Sequence, residues 1–333
     1  MLGPVTTREA ARVRRGAPAA LPQCKGPVVE YHDGIKAMVL VTHRHACVFL
    51  DRQARCRFHA AVGAAHKPSV CRHFPLGATS TKHGLRVSLS HRCPCVSVGE
   101  SAPLDERRAR AVLASPASGR ITPDVNAPNR IRWRGRKTIS FDDYASWETE
   151  VLAQLDGKDK ARRIETVLGI KGTERLPQLR GTTWAEISRR MFAWSADEAD
   201  DDGFFCTVRW AASVLTKPGN TRRTTPQRPW AWTLARTANR SHNRATTRDI
   251  YGSWLADFVW ALTWAVDGSV YRAMADMIAR YIVAKRLTER FRKRGARADI
   301  AAAEAIMIVD TVGASEAWGW VEKSLLEAPV GTY

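Results

Sequence analysis

The sequence predicts a mainly α protein: a small α+β cysteine-rich amino-terminal domain followed by an all-α helical domain. Three observations carry this prediction. Short β-prone runs broken by turn residues fill the region before about residue 100. From Ser140 onward, apolar residues recur at helical spacing. Between them the soft side chains crowd together: five of the seven cysteines fall between Cys47 and Cys95, and Cys24 lies upstream. Six of the nine histidines, His45, His59, His66, His73, His83 and His91, lie in or beside the same stretch.

The chain of 333 residues is long enough for a sizeable core, and 44% hydrophobic with 26% charged residues is an ordinary globular balance. The longest strongly apolar stretch, Phe258 to Val266, is nine residues, which excludes a membrane-spanning helix there. The opening MLGPVTTREAARVRRGAPAA has no apolar core of the secretory kind. The expected compartment is therefore cytoplasmic, where thiols stay reduced and clustered cysteines favour metal binding or redox chemistry over disulfides. A formal charge of +19 points to acidic partners, either a nucleic acid or an acidic protein, or to a compositional habit.

In chain order, residues 1–20 read as a disordered basic arm and 21–100 as a cysteine-cluster metal-binding domain. Asp33-Gly34 between Val28–Tyr31 and Ile35–Val41 signals a hairpin. Cys47 to Asp51 is a short extended segment, and residues 56–62 a helical turn ending near Gly63. Pro68 and Pro75 bracket a short helix carrying Cys71, at a helix start where backbone N–H groups favour a thiolate. Leu85, Val87 and Leu89 alternate as a half-buried strand that leads into Cys93-Pro94-Cys95. Residues 101–137 read as a linker with one short helical candidate, Leu104 to Leu113.

The helical domain takes 138–333. Ser140 caps a helix with Tyr144, Trp147, Val151 and Leu155 on one face. Thr183 and Glu186 form a capping-box pair before Trp184, Ile187, Met191 and Trp194. Phe204 to Leu215, containing Cys206, the region from Asp249, Tyr271 to Phe291, and Ala298 to Leu326 are further helices. Residues 217–248 hold eight Lys/Arg and no acid, with Trp230 and Trp232 interleaved. That composition suits a solvated loop, an acidic protein partner, or single-stranded nucleic acid.

The cysteines are widely spaced: 22 residues separate Cys24 from Cys47, then 8, 14 and 21 precede Cys93. This is not the close Cys-x2–4-Cys pairing of a zinc knuckle. Ligands would come from separate strands and turns, an arrangement open to zinc and to an iron–sulfur cluster. A cysteine followed by proline, as at Cys93-Pro94, also ends the bacterial ferredoxin motif. A reduced, cysteine-rich core is the alternative.

CVFLD, CRFH, KPSVCRHFP and VSLSHRCP, in this order, resemble the YkgJ-type cysteine-cluster family, a zinc- or iron-chelating domain that includes FliB-like flagellin lysine N-methylases. The likeness covers roughly residues 24 to 96, and ISFDDYASWE also looks like the longer, FliB-like members. The resemblance implies Cys47, Cys56, Cys71 and Cys93 as metal ligands. It further implies S-adenosylmethionine as cosubstrate, lysine methyl transfer as activity and a protein substrate such as flagellin. Cys24 alone stands where many members carry a tight amino-terminal cysteine group, so it is a fifth ligand or a relic, and Cys95 is a spare. No glycine-rich methyltransferase loop or radical Cys-x3-Cys-x2-Cys motif accompanies these words. His59 reads as a supporting histidine, and the other histidines as surface or loop residues. Arg72 reads as a partner of the thiolate or of a carboxylate, and Cys206 as core.

Overall fold

The computed structural model describes residues 2–33, 36–43, 46–51, 55–98, 105–115, 118–156, 160–169, 175–196, 203–216 and 247–327. The protein is mainly α, with several small sheets. The chain divides into two compact units, Met1–Leu76 with Leu104–Thr122, and Gly77–Pro103 with Pro123–Tyr333.

The first unit starts with a strand, β1 (Leu2–Val5), and a helix, α1 (Thr7–Ala20). This corrects the expected disordered arm. Thr6 accepts a hydrogen bond from the Glu9 backbone while the Glu9 carboxylate takes the Thr6 N–H, a complete capping box. Ala10, Val13, Ala17 and Ala20 put one apolar stripe of α1 into the core, and the arginines fall between them. Pro18 sits in the last turn.

The Asp33-Gly34 hairpin prediction matches β2 (Val29–His32) paired antiparallel with β3 (Ala37–Leu40), and β1 adds to the other edge of β3. A two-residue ladder follows, β4 (Thr42–His43) with β5 (Ala46–Cys47). Two short helices, α2 (Arg57–Val62) and α3 (Ser69–His73), come next. The core of this unit is Val5, Ala10, Val13, Ala17, Val28, Val29, Leu40, Phe49 and Phe58.

The second unit opens with β6 (Leu76–Thr81), beside which lies β7 (Gly84–Leu89), as the alternation predicts. A single turn, α4 (Pro94–Ser97), leads toward α5 (Glu106–Leu113), which belongs to the first unit. Residues 101–137 are therefore no simple linker. They hold α5, then β8 (Val125–Asn126), parallel to β6, and the hairpin of β9 (Arg130–Arg134) and β10 (Lys137–Ser140). Gly135 supplies the positive φ that the hairpin turn requires.

From Phe141 on, every named element is helical: α6 (Phe141–Asp156), α7 (Lys160–Val167), α8 (Trp184–Ala196), α9 (Gly203–Ala212), α10 (Thr247–Ala261), α11 (Val270–Arg292), α12 (Ala298–Gly313) and α13 (Glu316–Ser324). The Ser140 cap and the Thr183–Glu186 capping box are both formed. The helix expected from Ala298 to Leu326 is two helices, because Ser315 caps a new start two residues after Gly313. Trp210, Trp254, Trp318 and Tyr144 lie fully buried in this unit's core. Most of the basic segment 217–248, with Trp230 and Trp232, lies outside the described residues.

Candidate metal centre

Three of the expected ligands gather in the first unit. Cys47 ends β5, where Thr42 pairs with it across the ladder and its carbonyl accepts from Leu50 N at 2.8 Å. This turn delivers Phe49 into the core and brings Leu50 into a bridge with Cys56. Cys56 caps α2: its Sγ accepts from His59 N at 3.4 Å, and the Arg57 N–H is held by Phe49 O at 2.7 Å. His59 thus supports Cys56 through its backbone. Cys71 is the third residue of α3, with its N–H on Pro68 O at 3.0 Å. All three cysteines are partly buried against the same apolar core.

Their electrostatics follow from that shared, poorly solvated position. Burial pushes the Cys71 thiol up to about 12; Cys47 and Cys56 add to the rise, while Lys67 opposes it. The Cys47 thiol is raised as well, by burial first, with a hydrogen bond from Phe49 and nearby Lys67 opposing and Cys56 contributing. The expectation of a favoured thiolate at Cys71 is therefore corrected. A five-residue helix offers a small dipole, and loss of water outweighs it. Two thiols that resist ionisation, Cys47 and Cys71, with Cys56 beside them, would change character on meeting a soft cation. The cation's own charge favours the thiolates and cancels their mutual repulsion. Among the described residues, no group of three or more Cys, His, Asp or Glu already stands in a geometry ready for a metal ion.

The remaining candidates are placed differently. Cys24 is exposed, and its thiol lies 3.7 Å from the Gly26 carbonyl on the wall of an open groove of about 400 Å³. Cys93 belongs to the second unit, at the turn before α4, with its N–H on Ser90 O at 3.1 Å. Cys206 is buried on α9, as expected of a core cysteine.

Arg72 donates to the Val112 carbonyl at 3.2 Å and lies 3.1 Å from the His73 ring, and, against burial, the nearby Glu9 carboxylate favours its charge. His83 fits the exposed reading, paired with Asp142 at 2.7 Å. His91 does not. It is buried at 3% exposure with Nε2 2.8 Å from Asp257, and its partner lies far along the chain, beyond the reach of local pattern.

Sequence reasoning also missed three residues that frame the thiols. Glu9 accepts from Ser69 N at 2.7 Å, Arg12 donates to Ala65 O at 3.2 Å, and Gly16 faces the Phe58 ring. The readable signal was the Thr-x-x-Glu capping word at residues 6–9. No protein-family model, curated protein or solved structure matches this chain.

Proposed function

We propose that the chain is a metal-binding protein whose cysteine-rich α+β amino-terminal part holds zinc or an iron–sulfur cluster on Cys47, Cys56 and Cys71. The observation that carries this reading is the packing of three cysteines against one apolar core, where burial raises the Cys47 and Cys71 thiols and nearby cysteines add to the rise. An all-sulfur donor set of this kind suits zinc and iron–sulfur clusters, and excludes hard cations such as magnesium and calcium. Lys67 beside Cys47 and Cys71 offsets part of the negative charge that a thiolate centre gathers. The motif resemblance supports the same three residues and names Cys24 as a further sulfur donor; it also points to Cys93, which belongs to the second unit.

Anaerobic purification followed by metal analysis and visible absorption tests the proposal. The expected result is near-stoichiometric metal, brown if iron–sulfur and colourless if zinc. Cys71→Ser is expected to lose most of it, Cys24→Ser less, and Cys95→Ser almost none. Cys93→Ser separates a further ligand from a cysteine that serves only the second unit. A wild-type chain that holds neither zinc nor iron, as purified and after reconstitution, sinks the proposal.

A further inference from the structure

We infer, granted the metal reading above, that the first twenty residues are the clamp that sets the thiol site, with Glu9 as its positioning residue. One carboxylate joins two helix starts. Glu9 Oε2 accepts from Thr6 N at 2.9 Å and Thr6 Oγ1 at 3.0 Å, while Oε1 accepts from Ser69 N at 2.7 Å, two residues before Cys71. One turn later, Arg12 Nη1 donates to Ala65 O at 3.2 Å, on the segment that joins α2 to α3.

A further turn on, a Cβ at Gly16 would stand 2.8 Å from the Phe58 ring, so the backbone of α1 lies directly on that ring. Phe58 belongs to the helix that Cys56 caps, and its ring meets that of Phe49, two residues after Cys47, at 5.0 Å in a tilted contact. A single face of α1 thus reaches the immediate surroundings of all three thiols, through residues outside the proposed sulfur donor set. Groups that orient metal ligands from outside control affinity because they fix the ligand before the metal arrives. The coupling runs both ways: whatever α1 contributes to metal affinity, bound metal returns as protection of α1.

The test uses the full chain, with Zn(II) affinity read by competition against a chelator and backbone hydrogen exchange read with and without Zn(II). Glu9→Gln keeps the shape but cannot serve Thr6 and Ser69 as a carboxylate does, and the Zn(II) dissociation constant is expected to rise about tenfold or more. Thr6→Ala removes the cap of α1 and leaves the Ser69 link, so it should lower thermal stability while affinity stays near wild type. In the wild-type chain, chelation should speed exchange across α1, although α1 carries no cysteine. Equal affinity losses in Glu9→Gln and Thr6→Ala would reduce Glu9 to an ordinary cap and overturn the inference. So would α1 exchange indifferent to metal in a chain that demonstrably binds it. A wild-type chain without metal fails at the earlier step, and the metal reading falls together with this one.

Discussion

Gly313 is fixed by a side chain thirty-three positions earlier in the chain. The Arg280 guanidinium is buried and bonds Asp276 at 2.7 Å, the Gly313 carbonyl at 3.0 Å and Glu322 at 3.1 Å. Trp318 Nε1 completes the group by donating to the other Asp276 oxygen at 2.7 Å. Burial disfavours the Arg280 charge, but Asp276, Asp310 and Glu322 outweigh it and hold its pKa above the usual value. A Cβ at position 313 would fall 1.7 Å from Arg280 Nη1, which leaves no room for even one methyl. Gly313→Ala should therefore cost about 1–3 kcal/mol as overpacking that displaces a bonded cation. Urea unfolding measures it, and a midpoint equal to wild type would show that Arg280 has another resting place.

At the scale of elements, α1 shows what pattern reading caught and what it lost. Helices α6 and α8 were legible because a cap, a 3.6-residue apolar stripe and adequate length agreed with one another. The stripe of α1 is made of alanines and one valine, too small to stand out against its arginines, so composition read as an arm where geometry makes a helix. The motif words single out Cys47, Cys56, Cys71, Cys93 and Cys24, of which the first three pack on one core, whereas the Glu9–Ser69 link spans sixty residues and no local signal announces it. The link has a pH signature. Burial opposes the Glu9 charge, but the hydrogen bonds from Ser69 and Thr6 outweigh it and hold the carboxyl below its ordinary 4.5. A depressed folded value contributes stability above the unfolded pKa, lost as pH falls through the folded one. Acid unfolding of the metal-free chain should therefore show a limb below about pH 4.5 that Glu9→Gln flattens. An unchanged limb in the variant would assign that acid sensitivity to other carboxylates.

The whole molecule carries +19 on 333 residues, so its charges repel on balance. Ion pairs such as Lys82–Asp142 and Arg297–Asp299 are largely exposed on at least one side and contribute little. Salt weakens both effects, and with so large an excess of one sign the repulsion dominates. The melting temperature should thus rise when salt is raised from about 0.01 M to about 0.15 M, where the screening length shortens from about 30 Å to about 8 Å. A fall over that range would mean that the exposed pairs outweigh the net charge.

The division of the chain into a first unit made of Met1–Leu76 and Leu104–Thr122 has a consequence for synthesis. Arg72 on α3 donates to Val112 on α5, so the support behind the Cys71 helix is encoded after an excursion through the other unit. A nascent chain that has reached Pro103 has made Cys47, Cys56 and Cys71 but not α5. At bacterial or eukaryotic elongation speeds that interval lasts roughly one to a few seconds. During it the Cys71 helix lacks the backing that α5 gives it in the folded chain.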